Sequence, residues 1–349
     1  MKIETLLPLG KLDPGLARPD APLDLSGIGA DAKLVDELGY NTLLMEETKD
    51  DLFQVLALAA TNSQRVHLGT SVAIAFARSP YVTAMSAWTT AKLSNGRFEL
   101  GLGSQVRGHI RRRFGLDWHP PGPWMRDYVR AVRAIWHSWQ NETAIDFASD
   151  HYKLNLSVPL FTPAPIDHPD IPIQVAAVNS YMIAVAAEVA DGVRLHPVCS
   201  APYIQDVVLP IVSTTRSVKG SFEVCLKPLI ATGPDQQTLL QRREVARSRL
   251  AFYVSTPAYR GAFDRYGLSD LADELARLSK AQRWDAMAKL IDDRILDQWV
   301  VSAPYEQLAD RVLERFAGLI DRVELSIPVT SPAEREQLQD IVTQIRTSA

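Results

Sequence analysis

Residues 96–110 read GRFELGLGSQVRGHI. A glycine turn opens a short apolar strand, the strand ends on Gly101 and Gly103, and a basic segment follows. Glycines at a strand end let another group come close to the backbone, because no Cβ intervenes. That group is either a tightly packed neighbouring strand or a flat ring or phosphate. Next along, Ser104 and Gln105 offer a hydroxyl and an amide for hydrogen bonding. Arg107, His109, Arg111, Arg112 and Arg113 then make a basic run, which serves either as a solvated face or as an anion contact. In a helix, Arg107 and Arg111 would share a face while His109 points elsewhere.

Working outward, strand and helix signals alternate. Upstream, KIETLL is a strand, and Ile28, Ala32, Val35 and Leu38 recur at helical spacing before a terminating Gly39. NTLLM is a short buried strand, 52–60 an apolar helix, RVHLGTSVAIA a strand and 80–93 a helix entered at Pro80. Downstream, 124–139 carries an amphipathic pattern, IPIQVAAV is a strand, 181–190 a helix and DGVRLHP a strand. The segment 202–214 is helical around an awkward Pro210, and FEVCLKPLIATG is one long strand interrupted by Pro228. Residues 235–298 form helices in succession without a strand, which marks an insertion. PYEQLADRVLERFAGL, DRVELSIP and 331–345 close the chain as helix, strand and helix. Eight strands, each followed by a helix and with no linker between them, predict a (β/α)8 TIM barrel with a helical insertion after strand 7 and one domain spanning 1–349. An open doubly wound sheet is the rival arrangement.

The bulk composition limits the partners. Hydrophobic residues make up 46% and charged residues 22% of 349, ordinary for a chain with a large buried core. A formal net charge of −4 argues against a general nucleic-acid binder, so any basic patch is local. The opening MKIETLLPLG has too brief an apolar run for a signal peptide, and no stretch has the length of a membrane span, so a cytoplasmic protein is expected. Cys199 and Cys225 read as buried and unpaired, and the seven histidines show no metal-ligand spacing, so no metal is expected.

In a barrel of this kind the chemistry sits at the C-terminal ends of the strands. That singles out Glu46 and Glu47 after the second strand, and TSVAIAFARSP after the third. It also singles out Asn179 or Ser180 in AAVNSYM after the fifth, and His196 at the end of the sixth. Glu46, Glu47, His109 and His196 are the acid–base candidates. Asn179 or Ser180 would cap the following helix, and their backbone N–H groups could meet an anion.

Four segments carry a family likeness: RVHLGTSVAIAFARSP, GRFELGLGSQVRGHIRRRFG, IPIQVAAVNSYMIAVAAEVADGVRLHP and SAPYEQLADRVLERF. In this order the chain resembles the bacterial-luciferase-like superfamily of flavin and deazaflavin oxidoreductases, and is most similar to its coenzyme F420-dependent branch. The resemblance implies a ring held at the strand C-termini, with the insertion forming part of the cleft. It also implies a non-prolyl cis peptide at Ser71–Val72, pressed against the ring. The cofactor contacts would be Ser71, Val72, Gly103, Ser104, Gln105, Arg107, Ala177, Val178, Asn179 and Ser180, with Arg260 a weaker candidate for the anionic tail or phosphate. F420 is polyanionic, so a mildly acidic protein needs a local cationic mouth to hold it.

The function expected from the resemblance is hydride transfer between F420 and a small organic substrate, in a homodimer. An FMN-dependent monooxygenase and a non-catalytic flavin-binding relative are the alternatives. In the sugar-phosphate dehydrogenases of this branch a glutamate follows the paired glycines of the fourth strand. Here GLGSQVR has no carboxylate. The methylene-tetrahydromethanopterin reductases also differ at this point, so neither substrate carries over.

Overall fold

The computed structural model describes residues 1–10, 22–216, 220–327 and 331–348. Its eight central strands are β1 (Lys2–Leu7), β2 (Thr42–Met45), β3 (His67–Thr70), β4 (Phe98–Gly103), β5 (Ile173–Ala177), β6 (Gly192–Leu195), β7 (Glu223–Leu226) and β8 (Arg322–Glu324). Each pairs in parallel with the next, and β8 returns to β1 through Lys2↔Arg322 and Ile3↔Val323, which closes the barrel. The outer layer is α1 (Ile28–Leu38), α2 (Leu52–Ala60), α3 (Pro80–Leu93), α4 (Pro121–Gln140), α5 (Ser180–Val189), α6 (201–215), α7 (Tyr305–Phe316) and α8 (Pro332–Thr347).

The helix boundaries follow local chemistry. Helix α1 buries Ile28, Ala32, Val35 and Leu38 and stops at Gly39, whose φ of 83° suits a residue without Cβ. Asp51, Ser79 and Asn179 each accept an amide hydrogen bond at the start of α2, α3 and α5. Helix α6 passes through a π turn at Ile204–Val208, and Pro210, which has no N–H to donate to the helix, follows directly after it.

Two strand expectations need correction. FEVCLKPLIATG is not one strand. Its first part is β7, and Pro228, which has no N–H for a ladder, marks the exit from the barrel. Beyond it Leu229–Ala231 pairs with Val300–Ser302, in a separate two-stranded parallel sheet. The insertion helices, of which Gln236–Val254 is the longest, lie between those two strands. RVHLGTSVAIA is likewise broken, into β3 and the two-residue strand Ala73–Ile74.

The barrel interior is charged rather than aliphatic. Arg322 donates to Glu4 (3.1 Å), Glu99 (2.7 Å) and Thr42 (3.2 Å) and also pairs with Glu223. Arg194 reaches Glu4 and the Gln174 side-chain oxygen, both at 2.5 Å. Burial opposes these charges, yet the surrounding carboxylates outweigh it and hold both guanidinium pKa values above the ordinary range. Burial likewise opposes ionisation of Glu99, but His67 and Arg322 overcome it and draw its pKa down to about 2. Cys199 and Cys225 are buried and free. No helix among the described residues is long and apolar enough to cross a membrane.

Candidate functional site

The glycines of the fourth strand are explained by the seam between β3 and β4. Gly69 faces Glu99 and Ala73 faces Leu102, so the β3 side carries one extra residue. Thr70 spans the gap: the Gly101 amide donates to its Oγ1 (2.7 Å), and its hydroxyl donates to the Gly101 carbonyl (2.6 Å). The next peptide, Ser71–Val72, is cis. A Cβ on Gly101 would stand 2.0 Å from the Thr70 carbonyl oxygen, and one on Gly103 would stand 2.5 Å from the Val72 side chain. Strand packing therefore demands both glycines, and the bulge they admit faces the barrel mouth. Glu47 braces it from behind, accepting the Ile74 amide (2.6 Å) and pairing with Arg78.

At the strand C-termini lies a cleft of about 1020 Å³. Glu46, Ser71, Val72, Gly103, Ser104, Gln105, Arg107, Ala177, Val178, Asn179 and His196 all line it. Gln105 adopts a left-handed backbone (φ 52°), and its side-chain oxygen accepts the Val106 amide at 2.9 Å. Trp118 and Pro121 line the same cleft, as do Lys227–Ile230 and one face of the helix Gln236–Val254.

His196 and Lys227 also line this cleft. The Nδ1 of His196 accepts the Val198 amide (3.3 Å), which puts the ring proton on Nε2. Its ring packs against Tyr259 (4.2 Å between centroids) and edge-on to Tyr253 (4.7 Å). Burial, with a further push from the Lys227 charge, lowers the imidazole pKa to about 3, so the ring is neutral at physiological pH. Lys227 reaches Glu46 and Glu324, each at 3.0 Å. Burial works against its ammonium, but these two carboxylates hold its pKa above the ordinary lysine range.

A second pocket of about 210 Å³ opens at the start of α5, and Val178, Asn179, Ala258 and Tyr259 line both spaces. Asn179 spends its side-chain oxygen on the Met182 amide (2.9 Å). The Ser180 and Tyr181 amides have no acceptor among the described residues. The Ser180 amide, the helix dipole and Arg265, which also lies 3.7 Å from Asp206, suit the pocket to a phosphate. Ser180 belongs to this pocket rather than to the main cleft.

Three expected residues lie elsewhere. His109 is exposed, because the short helix Arg107–Arg112 buries Ile110 and turns its neighbour outward. Arg260 lines neither space, since Asp264 (3.2 Å) and Asp273 hold its guanidinium. Glu47 is engaged behind the bulge. Conversely Lys227, Arg194, Glu324 and the insertion-helix face escaped the sequence reading. Their signals were a lysine directly after a strand, charges inside the strands GVRL and RVE, and the spacing of Arg242, Val245, Ala246, Arg249 and Tyr253.

Residues 10–322 match the family model described as luciferase-like monooxygenase, and the chain belongs to that family. An uncharacterized protein of Mycobacterium tuberculosis is 37% identical over 319 residues, covering 90% of this chain and 93% of the relative. A putative coenzyme F420-dependent oxidoreductase of the same species is 27% identical, covering 88% and 90%. Among solved structures, the coenzyme F420-dependent tetrahydromethanopterin reductase of Methanopyrus kandleri superposes with a TM-score of 0.72 at 16% identity, covering 99% and 98%. The oxygenating constituent of 3,6-diketocamphane monooxygenase from Pseudomonas putida, in complex with FMN, gives 0.64 at 13%, covering 99% and 98%. These structural likenesses concern the fold.

Proposed function

We propose that the protein is an oxidoreductase that binds F420 in the cleft and exchanges a hydride with a small organic substrate. The observation that carries this reading is that the large cleft and the pocket at the start of α5 share Val178, Asn179, Ala258 and Tyr259 in their walls, so that a ring site and a phosphate site lie side by side. The 27%-identical relative named for F420 supports the choice of cofactor, as does the excess of cations lining the cleft, with Arg107, Arg194, Lys227 and Arg249 against Glu46 and Glu324.

When bound, F420 supplies or accepts a hydride at its deazaflavin ring. The Ser71–Val72 bulge and Gly103 would support the ring, and the Ser180 amide with Arg265 would hold the phosphate. His196, neutral and protonated at Nε2, would donate a hydrogen bond to a substrate oxygen. Lys227 would hold the Glu46 carboxylate at the mouth and keep its charge balanced.

A flavin monooxygenase is the second reading, favoured by the family description and by the FMN-containing structure. Deazaflavin lacks N5 and reacts poorly with oxygen, so cofactor identity separates the two. Anaerobic titration with F420 and FMN in parallel, read by quenching of tryptophan fluorescence with Trp118 in the cleft, tests the choice. Tight binding of F420 alone is expected. A preference for FMN, with oxygen consumed by the reduced complex, would overturn the reading.

A further inference from the structure

The helix Gln236–Val254 carries four arginines, and they are matched differently on its two sides. Arg243 pairs with Asp297 (2.8 Å) and Asp293 (3.4 Å), and Arg247 pairs with Asp293 (2.6 Å) and Glu244 (3.1 Å). Arg242 lines the cleft, and no carboxylate among the described residues lies within ion-pair distance of it. Its Nη1 instead donates to the Thr232 carbonyl (2.6 Å) and the Tyr305 hydroxyl (3.2 Å). Two neutral acceptors thus fix the orientation of a planar cation without cancelling its charge. A fixed guanidinium loses little entropy when it takes up an oxyanion.

The rest of the cleft-facing stripe gives the ligand its length and character. Val245 and Ala246 follow Arg242 on the same face, with Arg249 and Tyr253 beyond them. Leu229 and Ile230 line the same cleft and add apolar surface. The Arg249 Nε donates to the Tyr253 hydroxyl (2.9 Å), and the Tyr253 ring abuts His196. At the helical rise, about 16 Å separates Arg242 from Tyr253. The stripe therefore runs from a cation at the outer end, past an apolar wall, to the hydrogen-bond donor at His196.

Resting on the hydride-transfer reading, we propose that the substrate is an amphipathic organic anion: a reactive carbon beside His196, an apolar stretch against Val245 and Ala246, and a terminal oxyanion on Arg242. Calorimetric titration of the cofactor-free protein with octanoate, octyl phosphate and octan-1-ol tests this, and the two anions separate a carboxylate from a phosphate site. At least one anion should bind tenfold or more tightly than the alcohol. That preference should vanish in Arg242→Gln and persist in Arg243→Gln, while the F420 Kd of Arg242→Gln stays at the parent value. No anion preference in the parent protein, or one that survives in Arg242→Gln, would overturn the proposal. A loss of F420 affinity in Arg242→Gln would also overturn it, by assigning the stripe to the cofactor and leaving the hydride-transfer reading intact.

Discussion

Inside the barrel, Arg322 meets three carboxylates and Arg194 meets Glu4 and Gln174, so the charges answer one another within the protein. At the mouth, Arg242 faces a large cleft with only neutral acceptors, and the amides at the start of α5 face a pocket. The same residue types thus do opposite work. Matched charges fix the distances between strands, whereas charge or hydrogen-bonding capacity left open is completed by something bound.

The sharpest way to break this contrast is to remove one matched cation. Arg322→Met leaves Glu4 and Glu99 buried without it and should cost about 3–5 kcal/mol in urea unfolding. An unchanged midpoint would show that the interior pairs are not structural. Next in size is an acid effect at His196. Its pKa is lowered in the fold to about 3 from an ordinary 6.5. Unfolding therefore takes up a proton below about pH 6.5, and stability falls as pH drops toward 3. Between pH 7 and pH 5 the loss should be about 2 kcal/mol, and His196→Asn should flatten it. A parent protein equally stable at both values would refute a buried neutral histidine. Glu99, drawn down to about 2, adds a second loss only between about pH 4.5 and 2, so the two effects separate on the pH axis.

Asn179→Ala should cost about 1 kcal/mol, the loss of one helix cap. Urea unfolding measures it, and a much larger effect would mean that Asn179 does more than close the turn. Smallest is Arg260→Ala, which removes an exposed ion-pair partner. Its F420 affinity and melting curve should overlay those of the parent, and weakened F420 binding would return Arg260 to the site.

The barrel was legible because its signals are local: the α1 spacing ending at Gly39, the caps at Asp51 and Asn179, and the regular return of apolar strands. The break in GTSVA was found by resemblance. What remained hidden depends on partners far apart in the chain. Glu4 and Arg322 lie 318 residues apart, and neither strand announces that its charge points at the barrel axis. Gly101 and Gly103 left two readings open until the Thr70 carbonyl and Val72 stood beside them. The stripe from Arg242 to Tyr253 has a readable helical spacing, but the side of the insertion helix that meets the barrel is set by the path the chain takes after Pro228. His109 falls outside the cleft for a related reason, since a helix as short as Arg107–Arg112 has a single buried residue to orient it.

That path has a consequence for how such an enzyme could diversify. Among the described residues, Leu229–Ala231 and Val300–Ser302 pair with each other and with no barrel strand, so the insertion leaves and re-enters through its own stalk. A different set of helices carried on the same two strands would bring a new wall to the cleft while leaving the barrel ladder and the bulge in place, provided that it kept contacts such as Trp299 with Val198. Binding preference and scaffold can then change independently, and the stalk is the seam along which recombination would cut.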